Sequence, residues 1–258
     1  MKKAFLSCLQ FVAFKLYFIL NKIGLFKVDY FENLFIKSYY FYKSRIESES
    51  LDFLNGYISK HVTVIDVGAN IGFFTLQISK FLDSSSTIIA IEPSGVNLSR
   101  MRKVIQNKKP EPNIIVVSAA LSEAVGWGRL EIDASNPANH KVTKVTNFKK
   151  SVELQTLDSV TKEVCNVALI KIDVQGHELA VLKGGRKLLS KQSPALLIEI
   201  DNRNNSTLGG KIWQFLDTKG YCMFTTTDLQ KPITRAQLEG LKGYFDIFCI
   251  KRETVNVF

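Results

Sequence analysis

Short apolar runs alternate with amphipathic stretches along the chain from residue 61 onward. The runs are rich in β-branched residues and are bounded by turn-forming residues, which is typical of buried strands. They lie at 62–67, 87–91, 114–117, 167–172 and 194–200. The stretches between them carry apolar residues at helical spacing, at 71–81, 97–106, 178–189 and 211–219. This alternation predicts a parallel sheet with helices on both faces, a doubly wound α/β domain over residues 61–258.

Two regions depart from the alternation. The last two predicted strands, 221–226 and 245–251, follow each other without a predicted helix, which indicates an antiparallel edge pair. Between residues 130 and 160 the pattern is irregular. We therefore expect residues 130–150 to form an insertion or a lid.

Residues 1–60 differ in composition from the rest of the chain. Residues 1–46 interleave aromatic residues with lysines and hold eight Lys or Arg against two acidic residues, which is +6 of the net charge of +10. The apolar stretch 4–20 is interrupted by polar residues and is shorter than the roughly 20 residues that span a bilayer. We expect a helical, basic and aromatic extension over residues 1–60.

Two interpretations of this extension stay open. In the first it packs on the α/β domain or on a second subunit, as in a homo-oligomer. In the second, residues 1–46 make peripheral contact with an anionic membrane surface. The first is favoured because an interfacial helix needs a cleaner separation of polar and apolar faces.

Charge and cysteine content restrict the partners and the environment. Most of the positive charge lies outside the α/β domain, so a nucleic-acid partner is not favoured. The cysteines have no metal-binding spacing, and Cys165, Cys222 and Cys249 lie in or beside apolar runs, which predicts buried free thiols. A reducing cytoplasm fits this pattern, at the inner face of the membrane if residues 1–46 bind it.

The first predicted strand runs into the sequence DVGANIG at residues 66–72. Gly68 permits a sharp turn, and Gly72 permits a ligand to approach the start of the next helix. The spacing differs from the G-x-G-x-x-G of dinucleotide-binding proteins. An acid at the strand end, Asp66, suits a ligand that bears an ammonium and a sulfonium group, as S-adenosylmethionine does. In the alternative, Asp66 only caps the helix and the glycines only turn the chain.

The second predicted strand is followed by Glu92. An acid about twenty residues beyond a glycine loop commonly accepts the ribose hydroxyls of an adenosine cofactor. NAD and S-adenosylmethionine both meet this description, and a pairing of Glu92 with Arg100 or Arg102 is the alternative. The glycine spacing and Asp66 favour S-adenosylmethionine.

Polar residues cluster at the end of the fourth predicted strand. Lys171 lies inside the apolar run, where it needs a partner, and Asp173 shares its face two residues further on. We therefore expect a Lys171–Asp173 pair. His177 and Glu178 begin the next helix, with Glu178 as a cap. Asp173 or His177 is the candidate base that accepts a proton from an acceptor hydroxyl.

Two further residues are candidates for acceptor binding. Glu199 lies at the end of the fifth predicted strand, and His140 lies in an Asn-rich loop that can close over the acceptor. Asp173 and Glu199 offer the carboxylates that Mg²⁺ prefers, so a divalent cation is an open alternative. A site without a metal is favoured.

Six stretches of the sequence together resemble the FkbM-type methyltransferase family. They are VIDVGANIGFF at 64–74, IAIEP at 89–93, AALSE at 119–123, LQTLD at 154–158, LIKIDVQGHELAVLKG at 169–184, and 194–200. Gln175 and His177 stand where the family more often has Glu and Ala, and the resemblance does not extend to residues 1–60 or 130–150.

The resemblance implies a class I methyltransferase fold with a Rossmann-like, seven-stranded, mostly parallel sheet. It implies methyl transfer from S-adenosylmethionine to a hydroxyl of a sugar, a glycan or a related natural product. The cofactor-binding residues expected at the matching positions are Asp66, Gly68, Asn70, Gly72, Glu92, Pro93, Ala120 and Leu121.

Three other functions compete with this one. The glycine spacing argues against an NAD-dependent oxidoreductase. A non-catalytic partner protein with the same fold would not need the full set of Asp66, Gly68, Gly72, Glu92 and Asp173. An RNA or DNA methyltransferase is less expected because the fourth strand lacks an N-P-P-[YF] motif.

Overall fold

The structure is a computed structural model that describes residues 29–46, 48–132, 140–144, 151–202 and 207–257. The strands in these residues are β1 Thr63–Val67, β2 Thr87–Ile91, β3 Asn113–Val117, β4 Ala120–Leu121, β5 Gly126–Ile132, β6 His140–Lys144, β7 Ser151–Gln155, β8 Val167–Ile172, β9 Ala195–Asp201, β10 Tyr221–Thr225 and β11 Tyr244–Lys251. The α-helices are α1 Asp29–Ile46, α2 Ser48–Tyr57, α3 Phe73–Ile78, α4 Gly95–Lys108, α5 Leu157–Val160, α6 Glu178–Gly184, α7 Arg186–Lys191, α8 Thr207–Thr218 and α9 Arg235–Gly240. Ser79–Phe81 and Arg252–Val257 are 3₁₀-helical.

Seven of the described strands form one sheet in the spatial order β10-β11-β9-β8-β1-β2-β3. Neighbouring strands are parallel except at β11, which is antiparallel to both β10 and β9. The predicted fold class is confirmed as a mostly parallel, doubly wound α/β sheet. The chain leaves β1 toward β2 and β3 on one side and returns to β8 on the other, so the strand order reverses between β1 and β8. Ligands bind at such a reversal in open sheets.

Two apolar cores cover the two faces of the sheet, because successive side chains of a strand point to opposite faces. Ile65 and Val67 of β1 pack in one core with Leu182 of α6. Val64 packs in the other core with Leu54 of α2. Both cores come from β-branched strands and helical apolar stripes, the two patterns that the sequence carries most clearly.

Two predicted helices differ in their extent. The helix predicted over 71–81 begins at Phe73 and ends at Ile78, followed by the 3₁₀ turn. The helix predicted over 178–189 is two helices that meet at Gly185. A Cβ at Gly184 would overlap the carbonyl oxygen of Ser122, and one at Gly185 would lie 2.6 Å from Leu157 Cδ2. The glycines thus serve close tertiary contacts, which helical periodicity does not report.

The last two strands pair antiparallel, as predicted. Helix α9 lies between them in the chain, where the sequence pattern predicted none. β10 is the edge strand, while β11 inserts between β10 and β9.

Where irregular structure was expected between residues 130 and 160, the described residues contain a second sheet. It has the order β4-β7-β5-β6 and pairs β5 antiparallel with β6 and β7. These strands lack the continuous apolar runs of the main sheet, and Trp127 of β5 is exposed. Residues 133–139 and 145–150 lie outside the described residues, and the insertion or lid stays a prediction.

Helix α1 packs on the α/β domain. Ile36 is buried with Leu76 and Val104, and the Tyr40 hydroxyl donates a 3.0 Å hydrogen bond to the carbonyl oxygen of Ile71. In the part of the chain that the structure describes, no helix is long and apolar enough to cross a membrane. Residues 1–28 lie outside that part. The domain boundary at residue 61, the membrane contact of residues 1–46, the homo-oligomer and the cytoplasmic location stay predictions.

The three described cysteines are free thiols. Cys249 is buried and Cys222 is half-buried, but Cys165 is exposed, which corrects the prediction of burial there. Cys165 precedes β8 in a connecting loop, and its apolar neighbours belong to the strand that follows.

Candidate active site

A cleft opens where the carboxyl ends of the central strands meet. It encloses about 580 Å³, including the part that is open to solvent. Its lining comes from the segments that follow β1, β2, β3 and β8, together with part of β5. The cleft includes six of the eight residues that the sequence assigned to the cofactor: Gly68, Asn70, Glu92, Pro93, Ala120 and Leu121.

Glu92 is held in the wall of this cleft by the segments on either side of it. Its Oε2 accepts a 3.0 Å hydrogen bond from the backbone N–H of Asn70. Its Oε1 accepts bonds from the backbone N–H of Ser94 at 2.9 Å and from Asn97 Nδ2 at 3.3 Å. The carboxylate is therefore fixed before any ligand arrives, and it offers oxygen acceptors of the kind that ribose hydroxyls need.

One part of the cleft wall is apolar. Pro93 follows β2, Ala119 precedes β4, and Leu121 ends β4. Leu130 of β5 adds a side chain from the second sheet. A flat aromatic base fits such a lining, because apolar side chains contact its faces while a few polar groups fix its orientation.

Gly68 brings the segments after β1 and β8 together. Its φ is +81°, and a Cβ there would overlap the backbone carbonyl oxygen of Asp173. Gly72 has a different neighbour: with φ at +83°, it precedes α3, and a Cβ there would lie 2.8 Å from Met101 Cγ in α4. Gly72 thus serves the packing of α3 on α4, and the ligand approach that the sequence suggested there stays a prediction.

A second cavity of about 440 Å³ adjoins the cleft. Gly68, Asn70, Asp173 and Gln175 line both spaces. The second cavity is also lined by charged and aromatic side chains from α1, α3, β1, β8 and β9: Tyr39, Lys43, Asp66, Phe74, Lys171 and Glu199. The two spaces therefore form one two-part site with Asp173 and Gln175 at the junction.

Asp66 belongs to the second cavity because its side chain leaves β1 on the same face as Val64. It is fully buried, and its Oδ2 accepts a 2.6 Å hydrogen bond from the Thr75 hydroxyl. Its Oδ1 has no hydrogen-bond partner among the described residues. Burial raises the pKa of Asp66, and the nearby Lys171 offsets only part of that effect. A buried acceptor without a partner is suited to a donor from a ligand.

Asp173 is the centre of a hydrogen-bonded network. Its Oδ2 accepts a 3.0 Å bond from Lys171 Nζ, which confirms the predicted pair. Its Oδ1 accepts a 2.9 Å bond from Gln175 Nε2, and the same amide donates at 3.0 Å to Glu199 Oε1. Burial raises the pKa of Asp173, but Lys171, the more distant Lys43 and the hydrogen bonds outweigh burial and lower it to about 2.

At Glu199 the effect of burial dominates. It raises the pKa of Glu199 well above the usual range, and the charge of Asp173 adds to this effect. Two carboxyl groups that share one amide donor thus differ strongly in proton affinity. Such a divergence is common where one group stays ionised and the other exchanges a proton.

His177 and Glu178 start α6 and face different neighbours. His177 lines the cofactor cleft, and its Nε2 lies 3.0 Å from the Ser122 hydroxyl. Glu178 is buried, and its Oε1 accepts hydrogen bonds from the backbone N–H groups of Val174 and Gly176. Glu178 therefore holds the segment after β8 in place, which agrees with the structural role expected for it.

Sequence reasoning missed Tyr39, Lys43 and the bridging role of Gln175. The two α1 residues lie far from the strand-end motifs in sequence, and only the packing of α1 brings them to the cavity.

His140 begins β6 opposite Ile132 of β5. Its side chain lies outside the part that the structure describes, so its contact with an acceptor stays a prediction. Among the described residues, no group of three or more His, Cys, Asp or Glu is arranged to hold a metal ion.

The model of the methyltransferase FkbM domain matches residues 66–223 of the chain. The chain belongs to the FkbM methyltransferase family. The match begins at Asp66 near the end of β1 and extends through β9 into β10, so all residues that line the cofactor cleft lie within it. This FkbM family member is thus an S-adenosylmethionine-dependent methyltransferase.

Known relatives agree with this assignment. The methyltransferase sdnD of Sordaria araneosa is 24% identical over 262 residues, which cover 88% of this chain and 95% of that protein. A crystal structure of a methyltransferase FkbM from Methylobacillus flagellatus has a TM-score of 0.51 and 17% identity over 78% of this chain. This FkbM chain spans about half of that longer protein, 47% of its length.

A candidate rRNA methylase from Clostridium thermocellum has the same fold. Its TM-score is 0.51, with 9% identity over 79% of this chain and 94% of that protein. At such low identities these two structures establish the fold that the FkbM chain shares with other methyltransferases.

Proposed function

We propose that this chain transfers the methyl group of S-adenosylmethionine to a hydroxyl oxygen of a sugar, a glycan or a related natural product. The observation that supports this best is the two-part site. The cleft and the second cavity share Asp173 and Gln175, so a donor in one and a small acceptor in the other would meet at polar side chains.

The residues of the site fit the cofactor in three respects. Glu92 offers a fixed carboxylate for the ribose hydroxyls. The apolar wall at Pro93, Ala119 and Leu121 suits the adenine ring. Asp66 lines the second cavity together with Gly68 and Asn70, which also line the cleft, and its buried oxygen has no partner among the described residues. It suits the ammonium of a methionine moiety that extends from the cleft past these shared residues.

The second cavity fits a polyhydroxylated acceptor. Tyr39 contributes an aromatic ring, Lys43 and Lys171 contribute donors, and Asp173 and Glu199 contribute acceptors. Sugars present several hydroxyls around an apolar ring face, so a lining that mixes aromatic, donor and acceptor groups matches them.

The chain's own contribution to the reaction is alignment, exclusion of water and removal of one proton. S-adenosylmethionine, when bound, supplies an electrophilic methyl group whose transfer leaves a neutral thioether. Asp173 borders both parts of the site and orients the acceptor hydroxyl by accepting its hydrogen bond. Asp173 and His177 are the two proton acceptors that the sequence offered, and His177 lies on the cofactor side. No metal ion is part of this proposal.

Two measurements test the proposal. Calorimetric titration with S-adenosylhomocysteine, with NAD as the comparison ligand, tests the cofactor site in the wild type and in Glu92→Ala. Transfer of a labelled methyl group from S-adenosylmethionine to a panel of monosaccharides, methyl glycosides and polyols tests the acceptor class, with mass spectrometry to locate a methyl ether.

The expected result is micromolar binding of S-adenosylhomocysteine that Glu92→Ala removes, no matching affinity for NAD, and ether formation on at least one panel member. Binding without any transfer would favour the non-catalytic alternative. Transfer to RNA or DNA in place of the panel, with strong salt dependence, would favour a nucleic-acid methyltransferase.

A further inference from the structure

Glu199 presents an oxygen atom to the second cavity. It lies near the end of β9 and is half-buried there, opposite Asp246 of β11. Oε1 accepts the 3.0 Å hydrogen bond from Gln175 Nε2, and Oε2 has no hydrogen-bond partner among the described residues. The carboxyl group is thus held at one oxygen and open to a ligand at the other.

Asp173 lacks this arrangement. Both of its oxygens accept hydrogen bonds within the protein, one from Lys171 and one from Gln175. Proton transfer to Asp173 would have to break its ion pair with Lys171 in a half-buried site, which costs free energy. Its geometry suits a permanently ionised group that orients an acceptor, and not one that takes up a proton in each turnover.

The other carboxyl and imidazole groups near the junction differ from Glu199 in location or in exposure, and Asp66 lines the second cavity without being exposed. His177 lines the cofactor cleft beside the Ser122 hydroxyl. Asp66 is fully buried against Thr75, and Glu178 is buried against backbone N–H groups. Of these groups, Glu199 combines cavity lining, partial exposure and an oxygen without a partner in the described residues.

We propose that Glu199 accepts the proton of the acceptor hydroxyl and that Gln175 is the positioning residue for it. The inference rests on the proposed function and extends it. The acceptor O–H bond breaks as the oxygen forms its bond to the methyl carbon. The proton goes to Oε2 of Glu199, and the electron pair of the S–CH₃ bond stays on the sulfur of the thioether product.

The charges around Glu199 agree with this role. Burial raises its pKa, Asp173 and Asp246 raise it further, and Lys171 and Lys43 lower it. A general base is most effective when its pKa lies near the working pH. Asp173, with its pKa lowered to about 2, has too little proton affinity to compete.

Gln175 explains how two carboxylates stay close together at this junction. Its one amide group donates to both Asp173 Oδ1 and Glu199 Oε1. Its backbone φ of 54° lies in the left-handed region, and it is followed by Gly176 with a φ of 101°, so the turn after β8 directs this side chain. A Glu at residue 175 would add a third carboxylate in place of the shared donor.

The test is the pH dependence of methyl transfer to the best panel acceptor, measured between about pH 5 and 9. In the wild type the rate should rise with pH through an ascending limb above the ordinary range of a glutamate. Glu199→Gln keeps the shape and the oxygen that faces Gln175, and should lower kcat about 100-fold and remove that limb. Its affinity for S-adenosylhomocysteine should stay unchanged.

Two further variants separate positioning from folding. Gln175→Met removes a hydrogen-bond donor that favours the ionised form of Glu199, so the ascending limb of the rate profile should move to higher pH. If the role of Gln175 were purely structural, the variant would lower the rate by the same factor at all pH values. Glu199→Asp should restore part of the activity that Glu199→Gln loses. Glu163→Gln makes the same chemical change at a side chain that is 87% exposed and should leave rate and profile unchanged.

The outcomes separate the two proposals. If the wild type transfers methyl groups and Glu199→Gln keeps both the rate and the ascending limb, Glu199 is not the proton acceptor and the proposed function stands. If the wild type binds S-adenosylhomocysteine but methylates no acceptor of the panel, the proposed function is overturned, and the role of Glu199 with it.

Discussion

The Thr75 hydroxyl donates a 2.6 Å hydrogen bond to Oδ2 of Asp66 at a point where both residues are inaccessible to solvent. The other oxygen of Asp66 has no hydrogen-bond partner among the described residues, and burial raises the pKa of this carboxyl group. A buried carboxyl group that has a hydrogen-bond partner at only one of its oxygens lowers the free energy of unfolding. We propose that this cost is retained because Asp66, next to the turn at Gly68, binds a ligand.

Asp66→Asn should therefore have opposite effects on stability and on binding. Because the pKa of Asp66 is raised in the folded state, the native protein loses stability as pH rises from the ordinary aspartate pKa through the raised one. The neutral variant should gain about 1 kcal/mol at neutral pH, or roughly 2–4 °C in Tm, and this gain should shrink toward about pH 4. Its affinity for S-adenosylhomocysteine should fall, because the ligand ammonium loses its counter-charge.

Thermal unfolding measured as a function of pH checks the gain in stability. Calorimetric titration at neutral pH checks the loss of affinity for S-adenosylhomocysteine. Glu163→Gln, at an exposed position, is the control for the loss of one acidic charge. An Asp66→Asn protein that is both less stable and equally competent in binding would contradict the assignment of Asp66 to the ligand.

Gly68 should tolerate no side chain. Gly68→Ala would overlap the Asp173 carbonyl oxygen and force φ = +81° on a residue with a Cβ. We expect a loss of about 2 kcal/mol or more in the free energy of unfolding, together with loss of S-adenosylhomocysteine binding. Gly56→Ala is the matched control, since nothing lies within 4 Å of its Cβ and the residue is helical. It should be neutral or stabilise by up to about 1 kcal/mol in chemical denaturation.

The main sheet and the cofactor residues could be predicted because their signals are local. The run at 62–67 followed by DVGANIG combines a buried strand with the turn that ends it, and Glu92 marks the next strand end. The cavity residues Tyr39 and Lys43 could not be predicted, since their role depends on the packing of Ile36 on the distant Leu76 and Val104. Periodicity carries no information about which helix covers a strand end.

The second sheet escaped prediction for a different reason. Its strands carry no continuous apolar run in the sequence, so tertiary pairing and not hydrophobic pattern specifies them. The face to which Asp66 points was likewise not apparent from the motif. Alternation along β1 puts Val67 in one core and Asp66 on the opposite face, which becomes meaningful only once the covering helices are known.

Ionisation of Glu178 should lower the free energy of unfolding as pH rises toward neutrality. Burial raises its pKa to about 7, although hydrogen bonds from Gly176 and Val174 oppose the shift. A raised pKa means that the stability of the protonated form is lost as pH rises from the ordinary glutamate value to about 7. Glu178→Gln keeps the acceptor for the backbone donors and should unfold at a higher temperature than the wild type at pH 8, but at an equal one near about pH 4.

The matched comparison is Glu178→Leu, which removes the acceptor and should be destabilised at every pH because the N–H groups of Val174 and Gly176 lose their bond. If the unfolding temperatures of wild type and Glu178→Gln changed with pH in the same way, Glu178 would not titrate in this range.

Glu32 joins α1 to α4 and should affect acceptor binding in the second cavity, although Glu32 itself does not line that cavity. Its two oxygens accept a 3.3 Å bond from Arg100 Nε and a 2.6 Å bond from Lys103 Nζ, and the Arg100 side chain is only 4% exposed. Removing one partner of a buried ion pair is costly, so Glu32→Ala should lower the free energy of unfolding by about 3 kcal/mol. Lys103→Met should cost under about 1 kcal/mol, because Lys103 is 44% exposed.

The same change should act selectively on the two parts of the site. Helix α1 supplies Tyr39 and Lys43 to the second cavity, while Glu92 and its donors lie in the segments after β1 and β2. Folded Glu32→Ala should therefore raise the KM for the acceptor several-fold and keep its affinity for S-adenosylhomocysteine. Arg235→Met, which breaks an exposed pair with Glu239, should change neither. If Glu32→Ala lost affinity for the acceptor and for S-adenosylhomocysteine equally, α1 would support the whole domain and not the second cavity alone.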